Sequence, residues 1–327
     1  MGCGFITGHK LNDYVDSRNG RKEELSASKF DYRKTMVPKE RILFHEPMSR
    51  HTTFRVGGEA ECLIMVEQEA ELTSLISYLH QIEEEYFILG NGSNLLVGDK
   101  GYRGVVLKLA GPMEEIQIEG TVIRAGAGAL LSRVAAAAKE AGLSGMEFAA
   151  GIPGSIGGGV VMNAGAYGGE MKQIVRSVRC LDQDGTISIL DQDAMAFGYR
   201  TSAIKNRPIV ALEVMLQLAE GNAEEIGAKM EELAAMRRSK QPLEFPSAGS
   251  TFKRPEGYYA GKLIMEAGMR GYRIGGAQVS EKHCGFIVNT GNATATDIRE
   301  VIEEVQERVE ERFHVSLEPE IIFLGDF

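Results

Sequence analysis

Two glycine-rich stretches carry the most distinctive chemistry in this sequence. Residues 89–97 read LGNGSNLLV, and residues 145–169 read GMEFAAGIPGSIGGGVVMNAGAYGG. Glycine tolerates positive φ and lets other groups approach the backbone closely, so successive glycines can turn several N–H groups toward one anion. Both stretches could therefore bind phosphate without cationic side chains.

Each stretch also has a purely structural explanation. Asn91 and Gly92 form a common turn dipeptide, but five such residues stand in a row at 90–94. In the second stretch, Val, Met, Ile and Phe alternate with the glycines, which indicates packed backbone rather than a flexible linker. A tight turn would explain the first stretch, and close packing of backbone on backbone would explain the second. A large planar ligand with a diphosphate explains them together.

The chain fully matches neither of two common nucleotide motifs. IRAGAGALL follows a predicted strand and supplies Gly126 and Gly128, but Leu131 stands at the third glycine position of the Rossmann fingerprint. The close helix–strand packing that this glycine permits is then lost. The chain also contains no G-x-x-x-x-G-K-[ST] sequence, which excludes a P-loop.

The composition of the chain limits its partners. A formal net charge of -10 over 327 residues argues against nucleic acid, because phosphate-backbone binding needs basic clusters. The cysteines, Cys3, Cys62, Cys180 and Cys284, form no C-x-x-C pair, so we expect no metal site and reduced thiols. No apolar run is long enough to span a bilayer. We therefore expect a cytoplasmic protein without membrane contact.

Hydrophobic periodicity predicts an α+β chain. The predicted strands are residues 60–66, 86–90, 104–109, 174–190 (with a turn at Asp184-Gly185), 208–218, 284–289 and 317–325, and residues 115–128 form a predicted hairpin. The predicted helices are residues 67–85, 130–142, 222–242, 258–271 and 296–313. The character of the chain changes near residue 219, which we take as a domain boundary. Residues 1–40 are polar and aperiodic and are interpreted as a flexible or loosely docked extension.

Six motifs together give the chain a family resemblance. FRVGGEAE, ILGNGSNLLV, GMEFAAGIPGSIGGGVVMNAGAYGGE, FGYRTS, SAGSTFKRP and LEPEIIFLG occur in the order found in UDP-N-acetylenolpyruvoylglucosamine reductases. The resemblance covers residues 41–327. The chain passes directly from YRTS to IVALEV, which resembles the type II form without an extra substrate-covering loop.

The resemblance implies a fold and an activity. The fold is of the vanillyl-alcohol-oxidase type: residues 41–218 form an FAD-binding domain of two subdomains divided near residue 110, and residues 219–327 form an α+β substrate domain. In the implied reaction, NADPH reduces noncovalently bound FAD, which then reduces the enolpyruvyl ether of a UDP-sugar. The implied cofactor-binding residues are Gly90, Asn91, Gly92, Ser93, Asn94, Leu95, Gly151, Ile152, Pro153, Gly154, Ser155, Gly157, Gly158, Asn163, Ala164 and Gly165.

The resemblance also implies three catalytic residues. Ser250 would donate a proton, Arg200 would hold the substrate carboxylate, and Glu320 would stabilise charge or relay a proton. Without the family, Ser250 would be interpreted as a turn hydroxyl and Arg200 as a surface ion pair. Residues alone do not separate Glu320 from Glu318, since both would face one side of a strand; the family motif selects Glu320.

The substrate would contact Tyr199, Arg254, Lys262 and Gln278. Arg254 departs from the family, where asparagine is common, and would strengthen anion binding if it faces the nucleotide diphosphate. Cys284 replaces a usual alanine or glycine; we expect a buried thiol there, and a structural role for His283.

Two other functions remain open from the sequence. An alcohol-oxidising flavoenzyme of the same superfamily would share the FAD-binding stretches but not Ser250, Arg200 and Glu320. A flavin-binding protein without catalysis is the second alternative. A monomer is favoured.

Overall fold

The chain, described for residues 29–327 by a computed structural model, first forms a mixed four-stranded sheet with one helix against it. The elements of this first unit are β1 (Ile42–Pro47), β2 (Glu59–Val66), α1 (Glu69–Gln81), β3 (Tyr86–Leu89), β4 (Leu95–Val97) and β5 (Tyr102–Leu109). The strand order is β1-β2-β5-β3, with β2, β5 and β3 parallel and β1 antiparallel at one edge. β4 pairs elsewhere.

The periodicity of α1 explains its packing. Leu72, Leu75, Ile76 and Leu79 are all buried, so one apolar face of the helix lies in the core. The helix begins after Gln68, whose side chain takes part in a capping box. The helix predicted over 67–85 and the strand predicted over 60–66 are confirmed, the helix being shorter at both ends.

Residues 29–40, assigned to the extension from sequence, have defined contacts in the structure. The rings of Phe30 and Tyr78 lie 6.0 Å apart, those of Tyr32 and Phe44 lie 5.6 Å apart, and Val37 is buried. This part of the predicted extension therefore packs on α1 and β1. The prediction for residues 1–28 lies outside the described residues.

The second unit is built on a five-stranded antiparallel sheet. Its elements are β6 (Ile116–Glu119), β7 (Val122–Gly126), α2 (Leu131–Glu140), β8 (Leu143–Ser144), α3 (Ile156–Val161), β9 (Gly165–Ala166), β10 (Gly169–Glu170), β11 (Val175–Asp182), β12 (Ile187–Asp191), β13 (Ile209–Gln217), β14 (Ala219–Glu220) and α4 (Ala223–Lys240). The order is β12-β11-β13-β7-β6. The predicted hairpin is β6–β7, and the predicted Asp184-Gly185 turn joins β11 to β12, with Gly185 at φ +80°.

Helix α4 packs on the second unit rather than on the C-terminal one. It contacts α2, β8 and residues 147–149, and its buried side chains are Ile226 and Leu233. The packing therefore divides the chain after α4, near residue 241, and not at the predicted boundary of 219.

The C-terminal unit places one long helix over a small sheet. Its elements are α5 (Ala260–Glu266), β15 (Arg273–Ile274), β16 (Ala277–Val279), β17 (Ile287–Asn289), α6 (Ala295–Phe313) and β18 (Ile322–Leu324). The strands pair in the order β15-β16-β17. The predicted apolar face of α6 is confirmed, because all five side chains are buried: Ile298, Val301, Ile302, Val305 and Val309.

One strand joins this unit back to the first. β18 pairs in parallel with β4, and Asn94 immediately before β4 accepts a hydrogen bond from the N–H of Ile322. Within the described part of the chain, no helix is long and apolar enough to cross a membrane, and no group of three or more potential ligands could hold a metal ion.

Candidate active site

The first glycine-rich stretch forms a tight loop between β3 and β4. Gly92 has φ +60°, and a Cβ at this position would lie 1.9 Å from the carbonyl oxygen of His51. A Cβ on Gly90 would lie 2.5 Å from the Oγ atom of Ser155, in the second stretch. Gly92 must therefore lack a side chain because of a contact within the first unit. Gly90 must lack one because the second stretch faces it.

The second stretch contains a helix that the sequence did not predict. α3 is wholly buried and begins after Ser155, whose Oγ accepts a hydrogen bond from the N–H of Gly158 at 3.3 Å. A Cβ on Gly157 would lie 2.8 Å from the carbonyl oxygen of Ala127. Backbone packed on backbone, the structural alternative, thus accounts for part of this stretch.

The two stretches meet across a narrow cleft between the first and second units. The Nδ2 atom of Asn91 donates to the carbonyl of Pro153 at 2.5 Å. The cleft is lined by aliphatic side chains and by bare or small residues, among them Gly90, Gly128, Ser155, Gly157 and Gly158. A wall of this kind fits an elongated ligand that needs N–H donors along its length.

Several predicted cofactor residues make contacts within the protein, and their contact with a cofactor stays a prediction. Ser93, Asn94 and Ile152 are buried, and Leu95 is the first residue of β4. The Nδ2 atom of Asn94 donates to the carbonyl of Glu320 at 2.9 Å. The carbonyl of Gly154 accepts from the N–H of Leu131. Neither these residues nor Gly92, Gly151, Asn163, Ala164 and Gly165 line the cleft.

A second cavity, of about 370 Å³, lies between the second and C-terminal units. Five predicted residues line it besides Glu320: Tyr199, Arg200, Ser250, Arg254 and Lys262. Gln278 does not; its Nε2 atom donates to the carbonyl of Gly271 at 3.2 Å. Sequence reasoning missed Tyr259, Arg270 and Lys282, which also line the cavity and stand outside the motifs that carry the resemblance.

The charge of this cavity is opposite to that of the chain. Its lining includes the cations Arg200, Arg254, Lys262, Arg270 and Lys282, and among the residues that the structure describes Glu320 is the only carboxylate in it. A chain of net charge -10 therefore presents a locally basic surface here, suited to an anionic ligand.

Arg200 and Glu320 form an ion pair at the base of the cavity. The Nε atom of Arg200 lies 2.8 Å from the Oε1 atom of Glu320. Burial raises the pKa of Glu320, and the adjacent Arg200 opposes that shift. Glu318 is exposed and pairs with Lys253, so the structure separates the two glutamates that the sequence could not.

The backbone of Arg200 is held in an unusual conformation. Its φ is +55°, uncommon for a residue other than glycine. Gly198 and Thr201 exchange backbone hydrogen bonds around it, and Lys205 Nζ donates to the Arg200 carbonyl at 2.8 Å. Asn163 Nδ2 donates to the carbonyl of Gly198 at 3.0 Å. The second glycine-rich stretch thereby positions Arg200, just as Asn94 in the first stretch contacts Glu320.

Ser250 is fixed by its neighbour. The N–H of Thr251 donates to the carbonyl of Gly285, and the carbonyl of Thr251 accepts from the N–H of Glu320, both at 2.8 Å. Ser250 itself is exposed, and within the described residues its hydroxyl makes no hydrogen bond. This geometry disfavours a turn hydroxyl and leaves the group free to face a ligand.

Other lining residues make defined contacts within the protein. The guanidinium of Arg254 lies 4.0 Å from the ring centroid of Tyr259, and the N–H of Arg254 donates to the hydroxyl of Tyr199 at 3.1 Å. His283 accepts from the N–H of Gly285, packs on Phe286, and has its pKa lowered by burial. Cys284 is buried and free, as expected.

Comparison with known proteins identifies the family. Residues 60–191 match the family model of an FAD binding domain, and residues 241–324 match that of the C-terminal domain of UDP-N-acetylenolpyruvoylglucosamine reductase. A reductase of this name from Caldanaerobacter subterraneus subsp. tengcongensis is 52% identical over 296 residues, which cover 90% of this chain and 98% of that protein. The chain belongs to the UDP-N-acetylenolpyruvoylglucosamine reductase family.

Other members agree. The UDP-N-acetylenolpyruvoylglucosamine reductase of Clostridioides difficile is 50% identical over 291 residues, covering 89% of this chain and 96% of its own. The crystal structure of the reductase from Thermus caldophilus superposes with a TM-score of 0.74 at 38% identity, over 87% of this chain and 98% of that one. The predicted family, the FAD-binding fold and a flavin-dependent oxidoreductase are thus confirmed.

Proposed function

We propose that this chain reduces UDP-N-acetylglucosamine enolpyruvate to UDP-N-acetylmuramate, a peptidoglycan precursor, with NADPH as the hydride donor and FAD as the carrier. The observation that carries the proposal is the ion pair between half-buried Arg200 and buried Glu320, which lines the same cavity as the unbonded hydroxyl of Ser250. These are the three residues that the family resemblance selects, and they converge from separate parts of the sequence on one basic cavity.

The lining of the cleft between the two glycine-rich stretches suits the diphosphate of FAD. A Cβ on Gly90 would collide with Ser155 in the facing stretch, and a Cβ on Gly92 would collide with the carbonyl of His51 in the first unit, so the backbone there is bare and close to its neighbours. Asn91 and Pro153 connect the two sides. When bound here, FAD would supply a hydride to the substrate. No nucleophilic side chain lines the described cleft apart from Ser155, which caps α3, and we expect the flavin to be bound noncovalently.

Arg200 would bind the carboxylate of the enolpyruvyl group. A guanidinium matches a carboxylate with two parallel hydrogen bonds, and it also stabilises the negative charge that develops next to the carboxylate during reduction. Glu320 orients the guanidinium through its Nε atom. Its raised pKa allows it to hold a proton at a higher pH than an ordinary carboxyl group, which suits a proton relay.

Ser250 would donate the proton that completes the reduction. A serine hydroxyl is a weak acid, so the step depends on a strongly basic carbanion and on fixed geometry. The backbone hydrogen bonds of Thr251 provide that geometry, because they tie this segment both to Gly285 and to Glu320. The remaining cations of the cavity would bind the diphosphate of the UDP-sugar, Arg254 and Lys262 at its rim among them.

We place this reaction in the cytoplasm. The support comes from the three cysteines within the described residues, Cys62, Cys180 and Cys284, which are all free and buried. Burial raises the pKa of Cys62 and of Cys180 to about 12, so these thiols are unreactive at neutral pH.

Anaerobic stopped-flow absorbance of the flavin tests the proposal. NADPH should bleach the bound flavin, and the enolpyruvyl substrate alone should then restore its colour. Restoration by dioxygen, after reduction by an alcohol without NADPH, would instead identify an alcohol-oxidising flavoenzyme. Binding of FAD with neither half-reaction would leave a flavin-binding protein without catalysis.

A further inference from the structure

Helix α4 brings a cation against the second glycine-rich stretch. A Cβ on Gly151 would lie 2.7 Å from the Cδ atom of Arg237, 3.0 Å from its Nη1 atom and 3.2 Å from its Nε atom. The stem and the guanidinium of Arg237 therefore cover the backbone of Gly151. Any larger residue at position 151 would displace this side chain.

Arg237 carries a charge that the described protein does not neutralise. It is half-buried, and burial lowers its pKa; Tyr167 alone acts in the opposite direction. Among the described residues, no carboxylate pairs with its guanidinium. The next residue, Arg238, is exposed and pairs with Glu231. Since an arginine stays charged even when partly desolvated, the unpaired guanidinium at 237 favours an anionic ligand.

The position of Arg237 indicates which anion. Gly151 is two residues before Pro153, whose carbonyl accepts the hydrogen bond from Asn91 in the first stretch. Arg237 thus covers the start of the short segment, 151–153, that Asn91 joins to the first stretch. Resting on the FAD-dependent function above, we propose that Arg237 binds the diphosphate of FAD and supplies the cationic side chain that the glycine-rich stretches lack.

The test compares FAD affinity in variants of Arg237 and Arg238. FAD dissociation constants are measured by flavin fluorescence for Arg237→Ala, Arg237→Lys and the control Arg238→Ala. Loss of a charge-assisted contact should raise the dissociation constant of Arg237→Ala about 10- to 100-fold. Arg237→Lys should lie between Arg237→Ala and the parent protein, because it retains the charge without the fork. Arg238→Ala should stay within about twofold of the parent.

Riboflavin and ADP identify the group that Arg237 contacts. Riboflavin lacks phosphate, so its affinity should be equal in the parent and in Arg237→Ala. ADP should compete with FAD more weakly in the variant than in the parent. An equal loss of riboflavin affinity, or an FAD affinity equal to that of Arg238→Ala, would overturn the assignment.

Arg237→Lys keeps the test decisive if the alanine variant does not fold, since lysine retains the aliphatic stem against Gly151. The inference and the proposed function also fail separately. A parent protein that binds FAD through Arg237 but does not turn over the enolpyruvyl substrate would contradict only the function.

Discussion

The cofactor cleft and the basic cavity differ in the groups that line them. The cleft is shaped by backbone, with Gly90 and Gly157 allowing chain segments to approach within van der Waals distance. The cavity is shaped by charged side chains around Glu320. A backbone site recognises its ligand by shape and N–H direction, whereas a side-chain site can also move protons and stabilise developing charge. Added atoms should therefore damage the cleft, while the cavity should be sensitive to lost protons and charges.

Among changes in the cavity, Ser250→Ala should have the largest effect on the reaction rate. Loss of a positioned general acid costs roughly 10²–10⁴-fold in rate, and this loss should fall on reoxidation of the flavin by substrate. Reduction by NADPH should remain near the parent rate, because it develops no carbanion. Ser250→Cys should retain more activity than alanine. Stopped-flow absorbance separates the two steps; equal slowing of both would mean that Ser250 is structural.

Gly92→Ala tests whether an added atom disturbs the loop between β3 and β4, which supplies Gly90 to the cleft. Its Cβ would lie 1.9 Å from the His51 carbonyl, in addition to the cost of φ +60°. Gly120→Ala is a matched control, since Gly120 has φ +58° but nothing within 4 Å of an added Cβ. The control should lose about 1–2 kcal/mol of unfolding free energy. Gly92→Ala should lose clearly more unfolding free energy, and it should also lose bound FAD. Equal losses in urea unfolding would remove the steric argument.

Lys205→Ala should reduce activity toward the substrate, because it releases the backbone of Arg200. Lys205 Nζ donates to the Arg200 carbonyl, and burial lowers the pKa of this lysine. We expect about a tenfold loss in kcat/KM for the enolpyruvyl substrate, with NADPH reduction unaffected. Lys205→Arg should restore part of it. Lys253→Ala removes a nearby lysine that pairs with Glu318 and serves as the control; if it had the same effect, general cavity charge would be responsible.

Glu320→Gln should give the smallest, pH-dependent effect on stability. Because the folded-state pKa of Glu320 is raised above its usual 4.5, ionising it costs stability as pH rises from 4.5 through the folded pKa. Glutamine avoids this cost. The Tm difference between the variant and the parent should therefore shift in favour of the variant from pH 4 to pH 7. A shift of the opposite sign would show that pairing with Arg200 outweighs burial.

Elements with a clear hydrophobic period were predictable from sequence. The buried stripe of α1 and that of α6 were both visible as repeating apolar positions. α3 was not, because six residues with three glycines have little helical propensity and form a helix here only through close packing on Ala127. β4 and β18 pair across more than 200 residues, which no local pattern encodes.

The same limit applies to the site. The motif residues around Arg200 and Glu320 were identified by family resemblance, and local sequence could not distinguish Glu318 from Glu320. Arg237 lies on a helix with few buried side chains, so its sequence gives no sign of which face meets the glycine-rich stretch. Gln278 donates to the carbonyl of Gly271, in the segment between α5 and β15, and local sequence does not indicate this partner. Its predicted contact with the substrate stays a prediction.

The pairing of β18 with β4 has a consequence for how the enzyme is made. Residues 320–324 supply both the carboxylate of Glu320, for which we propose a catalytic role, and the strand that pairs with β4 next to Asn94. Contacts between such distant parts of a chain form late, after the entropy of closing the long intervening loop is overcome. On the ribosome, the nascent chain can fold its first sheet early, but it cannot assemble the ion pair until β18 has emerged. Nascent chains that stop short of residue 320 are thus expected to be inactive, even where the first sheet has folded.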